Sequence, residues 1–204
     1  ETASARGKPK LPKGMEPYIE EWRGIPSKFL ENFQSYLYFD AISTVYRILW
    51  PVTFNGILQG WVAGYIPDDD EKPKPPYRNG VKSKSALFGV DTKIVSKSDT
   101  IVLVEGPYDC IRLQYEGIPA VSILGTGNWS RHKGIMLKQR QAGPAKRVIL
   151  AFDGDKAGDE CRITAYKDLK PIYDKLDCFD LPEGKDPGNC SDVIVNELRQ
   201  LCLK

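Results

Sequence analysis

The chain's 204 residues suffice for one large domain or two small ones with a full hydrophobic core, and 41% hydrophobic with 27% charged residues is ordinary for a globular protein. No apolar run approaches the roughly 18 residues of a membrane-spanning helix, which excludes a helical membrane protein, and no membrane partner is expected. The net charge of +2 conceals a strong segregation: residues 72–97 carry seven bases against Asp91, residues 131–147 carry six bases and no acid, and residues 153–192 carry eleven acids against six bases. Two basic segments bracketing an acidic one suit a polyanion held beside bound cations, whereas a plain solvated surface would explain each run alone.

The chain begins at Glu1 with no signal-peptide pattern, and it reads as an excised fragment with further domains expected upstream. Five cysteines, none in a C-x-x-C pair, and the single His132 supply no structural zinc set and a poor disulfide framework. Reduced, mostly buried thiols in a cytoplasmic compartment are the expectation, with Cys110 in the core and His132 at the surface.

Residues 1–18 hold Lys8, Pro9, Lys10, Pro12 and Lys13 and read as a linker or arm. Apolar residues between Ile19 and Tyr38 recur at helical spacings, with a turn leading into a helix capped by Ser27. Residues 44–66 alternate as two strands around Asn55-Gly56, the pairing expected of a tight hairpin. Residues 67–84 form a polar, proline-rich excursion too charged for the core.

Beyond Ser98 the pattern changes. The continuous apolar run at 100–104 predicts a strand buried on both faces, followed by a helix over 107–114, a strand over 118–124 and a basic helix of about ten residues from Ser130. A third strand over 146–152, a long helix over about 157–176, a short strand over 178–181 and a last helix from Ser191 complete the chain. This alternation predicts a parallel α/β sheet over 99–204, behind a small basic α+β unit over 19–98.

Parallel sheets place ligands beyond the carboxyl ends of their strands. Glu105 follows the first predicted strand, Asp153 and Asp155 the third, and Asp186 the fourth. Carboxylates from separate segments at one rim suit a hard divalent cation whose shell phosphate oxygens complete. Gly154 between the two aspartates permits a close approach of backbone or phosphate. Asp155 is equally suited to cap the following helix.

The order VEGPYD, ILGTGNW, FDGDKAGDE and LPEGKDPG resembles the Toprim family shared by bacterial-type primases, topoisomerases and some nucleases, over residues 100–190. LPEGKDP, the strand Arg47-Ile48-Leu49-Trp50-Pro51-Val52, Tyr77-Arg78-Asn79 and Leu87-Phe88-Gly89 resemble elements of the primase catalytic core in particular. The chain departs from that pattern in three places. Pro76 stands where a lysine often precedes the tyrosine, which leaves Lys74 or Arg78 as the substitute. The lysine before Leu87 is out of register, which leaves Lys82 or Lys84. Gly188 stands where a second acid often follows Asp186.

The resemblance implies Toprim-type metal binding by Glu105, Asp153 and Asp155 to Mg2+ or Mn2+, with no zinc in this segment. Glu105 is alternatively the general base, Asp186 a further metal position, and Asp109 a second-metal group or a helix-dipole partner. Arg47, Lys74, Arg78, Asn79, Lys82, Lys84, Arg131 and Lys133 are the expected contacts to triphosphate or template, since phosphate binding needs fixed donors. Trp129 stacks a base or packs under its loop. The implied activity is synthesis of short RNA primers from ribonucleoside triphosphates on single-stranded DNA, beside a fused or recruited replicative helicase, in the cytoplasm of a bacterial cell or a phage-infected host. A Toprim nuclease and an inactive nucleic-acid-binding module are the rival readings.

Overall fold

The structure is a computed structural model and describes residues 8–67 and 75–203, so Lys74 lies outside the described residues. The first half begins with the two-residue strand β1 (Glu16–Pro17) and the short helix α1 (Ser27–Leu30), which passes into a 3-10 turn. Strands β2 (Tyr36–Asp40), β3 (Val45–Phe54), β4 (Ile57–Tyr65) and β5 (Tyr77–Asn79) follow, and all five strands pair antiparallel in chain order. Asn55 and Gly56 both take positive φ, 53° and 74°, as the expected hairpin turn requires.

Three expectations for this half are corrected. Residues 19–38 do not form one helix, because Gly24, at φ 80°, and Pro26 break the run and leave only one turn of helix. That helix begins at Ser27 with Pro26 at the cap position and has no side-chain cap. The 67–84 excursion is not wholly peripheral either: β5 closes the sheet edge, and Tyr77 packs against the apolar core.

The second half opens after α2 (Lys93–Ser96). Strand β6 (Thr100–Val104), helix α3 (Pro107–Tyr115), β7 (Ala120–Ser122), α4 (Arg131–Lys138), β8 (Arg147–Leu150), α5 (Lys156–Leu169), β9 (Lys175–Cys178) and α6 (Asp192–Cys202) follow. The strands form a parallel sheet ordered β7-β6-β8-β9. Helix α5 ends earlier than expected, at Leu169, because Pro171 brings no N–H and its ring clashes with the preceding turn. The freed residues 175–178 become the edge strand, three residues ahead of the predicted one.

Period-2 alternation in β6 divides the packing. Val102 and Val104 face a cluster with Trp50, Val62 and Phe88 of the first half, whereas Ile101 and Leu103 face a second cluster under α4 and α5. The antiparallel sheet therefore packs on one face of the parallel sheet through a shared core. Paired bonds between Phe88 and Ser122, 3.0 Å each way, join the halves at the backbone. The hairpin tip adds a second link: its Asn55 and Gly56 N–H groups are fixed on Asp91 of the same half, and the Asn55 amide bonds the backbone of Gln139 and Gln141 across the junction.

Candidate active site

The carboxyl ends of β6 and β8 open into a cleft of about 330 Å³ lined by Glu105, Asp109, Asp153 and Asp186 on one side and by Arg23, Tyr65, Tyr77 and Asn79 on the other. The first wall comes from the parallel sheet and the second from the antiparallel one, so the cleft exists only where the halves meet.

Glu105 directly follows β6, and its Oε1 accepts the Asp153 N–H at 2.9 Å, which ties the first acid to the second. Burial pushes the Glu105 carboxyl up; the Asp153 N–H opposes that shift, and the charges of Asp155 and Asp186 add to it. Asp109 lies in the first turn of α3, where Oδ2 accepts the Gly106 N–H at 2.8 Å and Oδ1 the Gly188 N–H at 3.0 Å. Burial first, then the charges of Asp153 and Asp186, push this carboxyl well above the usual range. Both of its oxygens serve backbone, so Asp109 fixes the wall and also closes the turn at the start of α3.

Asp153 differs from the others. Its Oδ1 is buried and has no hydrogen-bond partner among the described residues. Burial, then Glu105, Asp186 and Asp155, push its carboxyl up to about 7. An unpartnered buried oxygen among like charges is costly as it stands, and a divalent cation is the kind of group that would relieve it. Among the described residues no three acidic, cysteine or histidine side chains are grouped closely enough to hold a metal ion as they stand. Asp155 is exposed, and its Oδ1 caps α5 by accepting the Gly158 N–H at 2.8 Å.

Two glycines make this spacing possible. A Cβ on Gly154 would stand 2.2 Å from the Pro182 carbonyl oxygen, and one on Gly158 would stand 2.1 Å from the Asp153 carbonyl oxygen. Gly154 also exchanges backbone bonds with Lys185 and Gly184, which brings the loop bearing Asp186 beside Asp153.

A family profile described as Toprim-like matches residues 102–190. The DNA primase of Staphylococcus epidermidis is 30% identical over 193 residues, 91% of this chain and 30% of that protein. The structure of the Aquifex aeolicus primase (zinc-binding and RNA polymerase domains) superposes with a TM-score of 0.70 at 24% identity, over 89% of this chain and 53% of that one. A DnaG primase catalytic domain bound to single-stranded DNA gives 0.61 at 21% identity, over 95% and 66%. These two structures share the fold. The chain is a primase-type Toprim catalytic core. It spans less than a third of the length of the curated primases it matches.

The primase-type core uses its basic residues differently from the expectation. Arg47 is fully buried: Nε bonds Asp40 at 2.9 Å, and the two Nη atoms bond Ser43 and the carbonyls of Pro75 and Pro76 at 3.1 Å. With every nitrogen engaged inside the sheet, it is not presented to a phosphate. Arg78 shares the same Asp40 oxygen at 2.9 Å and is only partly exposed. Burial raises the Asp40 carboxyl, but the bonds from Ser43, Arg78, Arg47 and the Ile42 N–H outweigh that and hold it well below the usual range.

Lys133 is likewise buried, with its ammonium on the Ile123 carbonyl and its pKa pushed down to about 7 by desolvation. It holds the segment preceding Leu124 and Gly125, which line the cleft. Asn79 lines this cleft and also a neighbouring one with Lys8 and Lys82, while Lys84 and Arg131 are exposed. Trp129 packs, donating its ring N–H to Asp168 at 2.9 Å.

Arg23 escaped sequence reasoning. Its guanidinium lies 3.5 Å from the centroid of the Tyr108 ring and 5.8 Å from that of Tyr65, at the mouth of the acidic cleft. It sits in the tight turn closed by reciprocal Trp22 and Ile25 backbone bonds. The only trace in the sequence is an Arg-Gly pair between apolar residues.

Proposed function

We propose that this core joins ribonucleotides into short primers on a single-stranded DNA template, with a replicative helicase, fused or recruited, as its working partner. One observation carries the reading: Asp153, with its unpartnered, buried oxygen, stands on the same cleft wall as Glu105 and Asp186, opposite a wall that presents Arg23 and Asn79. Similarity to DNA primases supports the reaction class, and a DnaG catalytic domain bound to single-stranded DNA supports the template.

The residues fit a divalent cation, Mg2+ or Mn2+, with Asp153 and Glu105 as the first ligands and Asp155 and Asp186 completing the rim. Such a cation would neutralise triphosphate charge and stabilise charge developing at the α-phosphate. The chain's own groups do the rest. Asp109 keeps the turn before α3 closed, so Glu105 stays aimed at the cleft. Arg23, held against Tyr108, offers a pre-oriented planar donor to phosphate oxygens. Lys82 and Asn79 extend the positive wall toward the template backbone. Alternatively Glu105 takes the proton of an incoming hydroxyl in place of a cation contact, and the remaining acids hold the ion.

The assay is dinucleotide synthesis with single-stranded template, ribonucleotides and Mn2+. Asp153→Asn and Glu105→Gln should each lower the rate at least about a hundredfold, the scale of losing one charge-stabilising group. Unchanged synthesis in either variant would overturn the reading. Cleavage of labelled DNA in place of synthesis would return the nuclease alternative, which similarity to primases does not favour.

A further inference from the structure

The loop over residues 182–190 carries Asp186 and contains no helix or strand. Among the described residues the hydrogen bonds of Asp186 all stay within this loop: its N–H donates to the Asn189 side chain at 3.0 Å, its Oδ2 accepts from Nδ2 at 2.8 Å, and its carbonyl accepts the Asn189 and Cys190 N–H groups at 3.1 and 3.0 Å. Like charges on Asp153 and Glu105 repel its carboxylate. The loop as a whole must therefore be held from outside, and its two ends are held differently. Near Lys185 the bonds to Gly154 are purely backbone. Near Gly188 they come from α3.

Arg112, one turn beyond Asp109 on α3, sends Nη1 to the carbonyl oxygens of both Gly188 and Cys190 at 2.9 Å. Asp109 takes the Gly188 N–H, so both polar groups of that residue are held by one helix. The third Arg112 contact, Nη2 to Asp192 at 3.4 Å, reaches a carboxylate that is 89% exposed, so the carbonyls are its main partners. No side chain could replace this clamp from the loop: a Cβ on Gly188 would stand 2.6 Å from the Tyr108 ring and 2.7 Å from Asp109 Oδ1.

We propose that Arg112 is a positioning residue, which holds the Gly188 and Cys190 carbonyls so that Asp186 stays turned into the cleft beside Asp153. This rests on the reading of the carboxylates as cation ligands. It adds a basic residue of α3 that touches neither substrate nor cation, and whose removal acts through Asp186. Charge-assisted bonds to two buried carbonyls are among the stronger ones available to a loop.

The test is a titration with Mn2+ alone, following free ion by electron paramagnetic resonance, with melting in chelator as the folding control. Arg112→Met should weaken Mn2+ binding about tenfold, as loss of a group supporting a ligand does. Arg112→Lys should recover part of that loss, since an ammonium still reaches the carbonyls. Arg112→Met combined with Asp186→Asn should bind no more weakly than Asp186→Asn alone. Parent-like binding by Arg112→Met beside weakened binding by Asp186→Asn overturns the proposal and leaves the cation reading standing, as do additive losses in the double variant. Parent-like binding by both Asp186→Asn and Asp153→Asn overturns the cation reading and the proposal with it. If Arg112→Met does not melt cooperatively, Arg112→Lys with and without Asp186→Asn decides the same question.

Discussion

At the scale of single residues, Asp153 concentrates the tension of the site. Its carboxyl lies at about 7 in the folded chain, against roughly 3.9 when unfolded, so the folded state holds more protons between those values. Its stabilising proton is fully present below about pH 4 and is lost as pH rises through about 7. The metal-free core should therefore melt at progressively lower temperature across that window, and Asp153→Asn should flatten the slope while raising the melting temperature at pH 8. Melting curves in chelator check both. The acids were legible in the sequence because each follows the end of an apolar run. Arg23 was not, because one arginine in a turn has no periodic signature and its value comes from Tyr108, 85 positions away.

At the scale of elements, charge misled where a strand or helix has two sides. Arg47 belongs to a basic-looking strand, yet its partner Asp40 lies on β2, and their meeting depends on sheet register. Arg47→Met should cost about 3 kcal/mol in urea unfolding, near the lower range for stranding a buried charge because Arg78 remains beside Asp40. A phosphate-contacting arginine would instead leave stability unchanged and weaken template binding.

The glycine requirements are also tertiary. Gly154→Ala should cost about 2 kcal/mol through overpacking against Pro182, with a matching loss of synthesis. The acid often found at position 188 in similar primases does not fit here: Gly188→Asp should destabilise by a comparable amount, since Tyr108 and Asp109 occupy its space. The same limitation explains the helix expected to run to residue 176. Its apolar spacing continues, but Pro171 ends it, and pairing with β8 draws residues 175–178 into the sheet.

At the scale of the whole molecule, the two halves share one apolar cluster and one cleft, so neither holds the site alone. The +2 net charge is distributed accordingly, with acids on the parallel-sheet wall and Lys8, Lys82 and Arg23 on or beyond the opposite one. Template affinity should fall linearly with the logarithm of salt, and Lys82→Ala should reduce that slope by about 0.7, the share of one phosphate contact on a single strand. An unchanged slope would remove Lys82 from the template path.

The sequence by itself determined the parallel α/β class, the hairpin at Asn55-Gly56 and the placement of Glu105, Asp153 and Asp186 beyond strand ends, where they line one cleft, whereas Asp155 is not among that cleft's lining residues. Strand runs, turn chemistry and the residue after a strand are local properties. Only the tertiary structure decided which bases face solvent, which loop Arg112 holds and what the cleft's second wall is. Those depend on register and on packing between segments far apart in the chain, and no local pattern encodes the distance between them.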